Sequence, residues 1–265
     1  MRVAYDLIGN KERAIALLGV SLKEDETEIA KEIMKRHKNV KTVLKKLAER
    51  QDIYRLYPVK LVLGNPKTEV VHRENNYLLK LDPQKVYFSP REATERHRIA
   101  EKVKEGERIW VMFSGVAPYA IAIAKKKPLC EIICADLNWN AIKYANENVK
   151  LNGLDKLKRI KNICADVREL KDLGKFDRII MPLVETAIDY IDVAFAHSKR
   201  GTIIHLYGLS EDKKMKDIEK KIKEKTKYLN VKYKIAGRQN VLPYAPRLNK
   251  VRLDIRVLSE GVGVN

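Results

Sequence analysis

Nothing in this chain is long and apolar enough for a membrane helix, because every apolar run falls short of the roughly eighteen residues that cross a bilayer. The opening residues, MRVAYDLIGNKERA, contain no apolar stretch of the kind that marks a secretory signal. Cysteine is scarce, with three in 265 residues. Cys130, Cys134 and Cys164 form no Cys-x-x-Cys pair and have no histidine at ligand spacing, which argues against a zinc site or a disulfide framework. Cys134 and Cys164 lie in apolar runs, where cysteine acts as a small hydrophobe. Serine- and glycine-rich linkers are also missing, so whatever units the chain contains are expected to pack closely. The expectation is a soluble, cytoplasmic, monomeric protein without a metal.

Acidic residues are in deficit. Asp and Glu total 35 against 54 Lys and Arg, a formal charge of +19. A solvated, lysine-rich surface would account for part of this, and ion-pair networks of a thermophile for more. An excess this large also suits a polyanionic partner, and nucleic acid is the first candidate. The basic residues are spread over both halves, as on a surface that follows a phosphate backbone. With 45% hydrophobic residues the chain is not disordered.

The pattern changes near residue 85. Residues 1–85 read as a small α+β domain: RVAYDLIG is a strand, and DETEIAKEIMKRH a helix with Ile29, Ile33 and Met34 at helical spacing. NVKTVLKKLA is a further helix or strand, and a β-hairpin is expected around Gly64-Asn65-Pro66. Residues 86–265 alternate strands and helices. ATERHRIAEKV is a helix, followed by strand RIWVMF, helix PYAIAIAKKK, strand CEIICADL and the amphipathic helix NWNAIKYANENVKLNGL. Strands IKNICAD, FDRIIMPL and GTIIHLYG follow, with AIDYIDVAFAHS and the basic EDKKMKDIEKKIKEKTK as helices and KVRLDIRVLS as the final strand. Such alternation predicts a doubly wound α/β domain on a parallel sheet.

The first strand-turn-helix reads VMFSGVAPYAI. Its single glycine, Gly115, does not make the G-x-G-x-x-G of pyrophosphate binders, which weighs against NAD and suits a cofactor without phosphates. Asp136 ends the second strand about twenty residues later, where a carboxylate can accept hydrogen bonds from both ribose hydroxyls of a nucleoside. It could instead cap the next helix, although Asn138 is equally placed for that. Asp166 ends the third strand, where an acid can hold an adenine amino group. Together the three point to S-adenosylmethionine.

At this level of detail the chain resembles a known family. VYFSPREATERHRIA, MFSGVAPYAIAIAK, DLNWNAIKYANENVKLNGL and PYAPR are similar to the archaeal and eukaryotic tRNA guanosine-37 N1-methyltransferases and their wyosine-pathway relatives. AYDLIG and KNVKTV extend the likeness to the N-terminus. The resemblance implies a class I, Rossmann-like S-adenosylmethionine-dependent methyltransferase domain behind a small RNA-proximal domain. Its substrate would be tRNA, read at the anticodon stem-loop, with tRNA(Phe) the expected species. Longer members carry an extra N-terminal domain that grips the tRNA elbow. This sequence shows no counterpart, which implies looser tRNA selection or reliance on the anticodon stem-loop.

Residue by residue, the resemblance makes Arg55 the arginine that approaches the target base and Glu95 the general base. It places Tyr87, Arg91, Phe113, Gly115, Asp136, Leu137, Asp166 and Val167 around the cofactor. Without it, Arg91 and Glu95 read as an ordinary i, i+4 surface pair. A carboxylate that takes a proton from a ring nitrogen, and a guanidinium that stabilises charge on O6, suit N1 methylation.

Two departures stand out. Val111 replaces the usual aspartate at the end of the first strand, and Met181-Pro182-Leu183 stands where Asn-Leu-Pro is usual. This combination resembles the archaeal subgroup that methylates C7 of the tricyclic base 4-demethylwyosine, some of whose members also make N1-methylguanosine. Pro182 would then face the base as a flat apolar surface that leaves no buried donor unpaired. An aminocarboxypropyl transferase of the same pathway and a non-catalytic tRNA-binding protein are the alternatives. His205 reads as a satisfied core residue and the basic helix as a solvated face or a phosphate contact. Tyr244 and Arg247 read as a rigid turn or as contacts to cofactor or RNA.

Overall fold

The computed structural model describes residues 3–21, 25–211 and 215–259. At the N-terminal end, β1 (Tyr5–Gly9) runs antiparallel to β2 (Ala14–Leu18). Gly9 ends β1 at φ 149°, where a Cβ would lie 2.3 Å from the Arg13 carbonyl oxygen; only glycine fits that approach. Helix α1 (Glu26–Arg36) starts at Asp25, whose carboxylate accepts from Thr27 N at 2.8 Å. The helix carries the chain across to β3 (Val40–Lys46), parallel to β2, and β4 (Val59–Gly64) returns antiparallel to β3. NVKTVLKKLA is therefore a strand, and Val40, Val43 and Leu44 are buried.

The main sheet begins after α2 (Ala93–Lys102) with β7 (Arg108–Met112), and α3 (Pro118–Lys126) leads to β8 (Glu131–Asp136). Helix α4 (Trp139–Leu151) leads to β9 (Ile160–Cys164), and β10 (Phe176–Met181), α5 (Ile191–Ala196) and β11 (Ser198–Glu211) follow. After α6 (Lys216–Thr226), β12 (Lys232–Ala245) and β13 (Leu248–Ser259) form an antiparallel ribbon. The strand order is β12-β13-β11-β10-β7-β8-β9, parallel from β9 to β11, with β13 antiparallel to β11. Helices cover both faces, so β7 is apolar in every residue after Arg108: Ile109, Trp110, Val111 and Met112 are all fully buried. Ile109 and Val111 face the core under α3 and α4, while Trp110 and Met112 face the one under α5 and α6. Strand order reverses between β7 and β10, and ligands of such sheets bind at the carboxyl ends beside that reversal.

Two expectations on local structure change. AIDYIDVAFAHS is a 3₁₀ turn over Ala187–Tyr190 that runs into the short α5. The hairpin expected at Gly64-Asn65-Pro66 does not form there, because β4 pairs with β3. It forms between β5 (Val70–Glu74) and β6 (Tyr77–Leu81), turning through Asn75 at φ 48°, a left-handed conformation that asparagine tolerates better than most residues. Residues 212–214 of the expected basic helix lie outside the described residues. Its described part, α6, buries only Ile218, Ile222 and Thr226.

The β5–β6 hairpin is fastened to the main unit by two asparagines four residues apart, Asn148 in the last turn of α4 and Asn152 at its C-cap. Asn152 accepts from Leu78 N at 2.9 Å and donates to Leu78 O at 2.7 Å. Asn148 accepts from Lys80 N at 2.6 Å and donates to Lys80 O at 3.1 Å. A helical turn rises about 5.4 Å and two strand residues about 6.7 Å, so side-chain amides four apart can serve backbone groups two apart. The pair acts as the missing neighbour strand of β6. Ile8, Ile15, Leu17 and Leu44 of the N-terminal sheet join the hairpin and the α3–α4 layer in one core cluster, so the units do pack closely.

Candidate active site

The chain leaves β7 in an unusual backbone path. Phe113 (φ 54°), Gly115 (φ 54°) and Ala117 (φ 63°) are all left-handed, an alternation that turns backbone N–H groups toward a common side. Ala117 supplies no side-chain cap to α3 and Pro118 follows it, so the first N–H groups of that helix are left to a ligand. A Cβ at Gly115 would meet only the Tyr87 carbonyl oxygen, at 3.8 Å. Tyr87 therefore borders this loop from above.

Asp136 closes the loop from the next strand: its Oδ2 accepts from Gly115 N at 2.7 Å and its Oδ1 from Asn138 N at 2.9 Å. Burial raises its carboxyl above the ordinary range, and the two N–H groups work against that rise. Each oxygen keeps lone pairs for further donors. Asn138 caps α4, accepting from Asn140 N at 2.9 Å, so Asp136 is not needed as a cap. Leu137 beside it is 40% exposed, an apolar surface at the strand end. At the end of β9, Asp166 accepts from Arg168 N at 2.9 Å through Oδ1, and Val167 is buried in the core beneath. Phe113 stacks edge-on with Tyr190, ring centroids 4.9 Å apart. A nucleoside-bearing ligand without phosphates fits these groups: an open glycine turn, a strand-end acid for hydroxyls, an exposed leucine and a second acid.

A second cluster stands beside the first, built from three distant parts of the chain. Gln51 and Leu56 pair across a tight loop between β3 and β4, in which Asp52 (φ 55°) and Arg55 (φ 58°) are left-handed. Asp52 stabilises the turn by accepting from Tyr54 N at 2.7 Å. Arg55 reaches Glu185 Oε1 at 2.6 Å, and Arg50 reaches the same oxygen at 3.1 Å. Tyr244, near the end of β12, donates to it at 2.7 Å. The Arg50 guanidinium lies 5.7, 5.2 and 5.4 Å from the rings of Tyr57, Tyr87 and Tyr244, within cation–π range. Glu185 follows Pro182 by three residues, in the turn that leaves β10. Tyr87 thus joins the two clusters, and Arg55 is paired with the turn that follows Pro182.

Two expected site residues are placed otherwise. Arg91 gives its Nε to Asp6 of β1 at 2.6 Å, which ties the N-terminal sheet to the main unit. Glu95 is 1% exposed. Its Oε1 accepts from Tyr207 at 2.7 Å and from Arg252, and its Oε2 from Arg98. It belongs to a buried network in which Arg252 also holds Asp254, and Asp254 holds His205. Glu92, on the turn before α2, pairs with the buried Lys250 at 2.8 Å. Arg50, Tyr57 and Glu185 were not foreseen. The interleaved basic and aromatic residues of RQDIYRLY were a legible signal for the first two; a lone glutamate after a strand was none.

Residues 70–235 match the TRM5/TYW2 methyltransferase domain. The chain is 38% identical over 255 residues, 96% of its length and 74% of the relative's, to a tRNA (guanine(37)-N(1))-methyltransferase of Pyrococcus abyssi. It is 32% identical to the tRNA (guanine(37)-N(1))/4-demethylwyosine(37)-methyltransferase of Nanoarchaeum equitans, over 93% of this chain and 99% of that one. An aminocarboxypropyltransferase acting on 4-demethylwyosine(37) of tRNA(Phe) in Methanocaldococcus jannaschii is 32% identical, with 97% and 98% covered. The crystal structure of the Pyrococcus abyssi enzyme superposes with a TM-score of 0.83 over 96% of this chain and 75% of that one, at 37% identity. A Methanocaldococcus jannaschii relative solved with adenosine gives 0.80 at 31% identity, covering 98% and 75%. With the strand order, the glycine turn and the strand-end acids all in place, the chain belongs to the TRM5/TYW2 methyltransferase family and is a tRNA methyltransferase.

Proposed function

We propose that the protein methylates the purine at position 37 of tRNA, with C7 of 4-demethylwyosine as its preferred target and tRNA(Phe) as its substrate. The observation that carries this reading is Pro182 at the end of β10, three residues before the Glu185 that gathers Arg50 and Arg55. S-adenosylmethionine supplies an electrophilic methyl group when bound. Gly115, Asp136, Leu137 and Asp166 would hold its nucleoside part, and the open N-terminus of α3 its polar tail. Arg55 would stabilise negative charge on the base. Pro182 offers a carbon edge an apolar surface and has no N–H to leave unpaired. Tyr54, 42% exposed on the arginine loop, suits stacking against an unpaired base of an anticodon loop, and Ile53, 72% exposed beside it, offers apolar contact.

A second activity, N1 methylation of guanosine-37, is favoured by the 38% identity to an enzyme named for that reaction. The test is mass spectrometry of nucleosides from tRNA incubated with the protein and S-adenosylmethionine, using G37 and 4-demethylwyosine substrates separately. The expected result is a methyl increment on 4-demethylwyosine. An aminocarboxypropyl increment, or no product on either tRNA, would overturn the proposal.

A further inference from the structure

Beneath α2 the buried charges are paired. Arg178 of β10 is held by Glu107 at 2.7 and 2.8 Å, and Asp254 is shared by Arg252 at 2.6 Å and Lys102 at 3.6 Å. The exception lies at the end of the sheet opposite the glycine turn. There a single row crosses four strands: Arg178 of β10, Ile203 of β11, Arg256 of β13 and Lys234 of β12, each opposite the next in register. Arg256 and Lys234 are thus direct cross-strand neighbours of like charge, roughly 5 Å apart at Cβ, an arrangement that destabilises a sheet. Lys104, just past the end of α2, brings a third exposed cation to the same cavity of about 520 Å³. Among the described residues no carboxylate pairs with Lys104, Lys234 or Arg256. A charge on an edge strand such as β12 discourages pairing with other chains, yet a glutamate would do that and also match Arg256.

We infer that this cavity is a phosphate-binding site for the backbone of the tRNA substrate. Three cations converge without a counter-charge, and phosphate oxygens among them would turn the cross-strand repulsion into attraction. The lining suits phosphate alone. It holds no Phe, Tyr or Trp on which a base could stack, and its one carboxylate, Asp254, and one imidazole, His205, already hold each other. A bound nucleotide would need such groups, whereas a run of phosphodiester does not. Placement agrees with this. Four residues separate Arg178 from Pro182 on β10, and ten separate Lys234 from Tyr244 on β12. The cavity and the site at the carboxyl ends are therefore roughly 13–33 Å apart along the strands. Duplex nucleic acid carries a charge about every 1.7 Å of its axis, so a stem adjoining base 37 offers phosphates at that distance.

The assignment rests on tRNA being the substrate and not on which atom of the base is methylated. The test measures tRNA affinity by filter binding over a range of KCl concentrations, for the full chain and two triple variants. Lys104→Gln/Lys234→Gln/Arg256→Gln alters the cavity. Lys143→Gln/Lys150→Gln/Lys161→Gln removes the same charge from exposed positions on α4 and β9. The cavity variant should bind about 10- to 100-fold more weakly near 0.1 M salt, and the slope of log affinity against log salt should fall by about 2–3. The α4–β9 variant should stay within roughly threefold of the parent, since its charges lie away from the phosphate contacts. Lys234→Glu alone should weaken tRNA binding while its melting temperature stays at or above the parent's, because it gives Arg256 an opposite charge across the strands. A cavity variant that keeps the parent's affinity and slope, or an equal loss in the α4–β9 variant, would overturn the assignment. A parent chain that binds tRNA as expected but methylates neither G37 nor 4-demethylwyosine would overturn the proposed reaction and leave the phosphate site standing.

Discussion

Single residues decide what this site can recognise. By the family resemblance Met181-Pro182-Leu183 takes the place of Asn-Leu-Pro, which removes an amide from this strand end, and on the present account Pro182 selects against a base edge that needs a hydrogen-bond partner. Pro182→Asn should shift the ratio of the two methylated products toward N1-methylguanosine by roughly 10-fold, about the 1–1.5 kcal/mol of one hydrogen bond. Nucleoside analysis of a mixed-substrate reaction reads that ratio, and an unchanged ratio would mean that the position does not read the base. Asp136 was legible in the sequence because its role depends on local order: strand, acid, helix. Glu95 was not. Its neighbours on α2 read as a solvated i, i+4 surface, yet the helix buries Glu95 and Arg96 beside Ile99 and Ala100. Their partners, Arg252 and Glu74, come from distant strands, and no local pattern announces such a pairing.

At the scale of elements, the glycine turn depends on a strand that it does not touch in sequence. Besides clamping β6, Asn148 donates to the Val116 carbonyl at 3.1 Å, so one fully buried amide links the hairpin to the loop that would hold the cofactor. Asn148→Ala leaves backbone groups of Lys80 and Val116 without partners and should cost about 1–3 kcal/mol of stability. Chemical denaturation measures the loss, and calorimetry should show weaker S-adenosylmethionine binding at temperatures where the variant remains folded. Asn152→Ala should cost stability in the same range with little effect on that binding. The strands and long helices were legible because apolar periodicity is local. The true hairpin was not, since the choice between β4 and β5 as its first strand turned on the free edge of β3. The same limit hid Glu185, whose three partners lie 135, 130 and 59 residues away.

Across the whole molecule, buried charge is gathered between α2 and the β10–β11–β13 part of the sheet. His205 is fully buried there. Its Nε2 lies 2.7 Å from Arg178 Nη1 and its Nδ1 2.6 Å from Asp254 Oδ1. Arg178 can only donate, so Nε2 accepts and the ring is neutral with its proton on Nδ1. Burial, with Asp254 opposing it and Arg178 and Arg252 adding to it, pushes the His205 pKa down from 6.5 to about 4. Between those values the unfolded chain binds a proton that the folded chain does not. Stability is therefore complete above about pH 6.5 and falls as pH drops toward about 4, by about 3 kcal/mol from this group. Urea unfolding across that range should show the slope, and His205→Gln should flatten it. At the N-terminal ends of β10 and β11 the same region opens to a cavity of about 520 Å³ lined by Lys102, Lys104, Lys234 and Arg256. The charge of +19 is thus not confined to the end of the sheet that holds the site, in keeping with the spread of basic residues along the sequence.

The central claim concerns the base that the strand-end site prefers. The most direct measurement is a competition in which equimolar tRNA carrying guanosine-37 and tRNA carrying 4-demethylwyosine-37 share limiting enzyme, with both products counted by mass spectrometry. The account predicts that C7-methylated tricycle forms faster than N1-methylguanosine. Equal or faster methylation of guanosine-37 would contradict it.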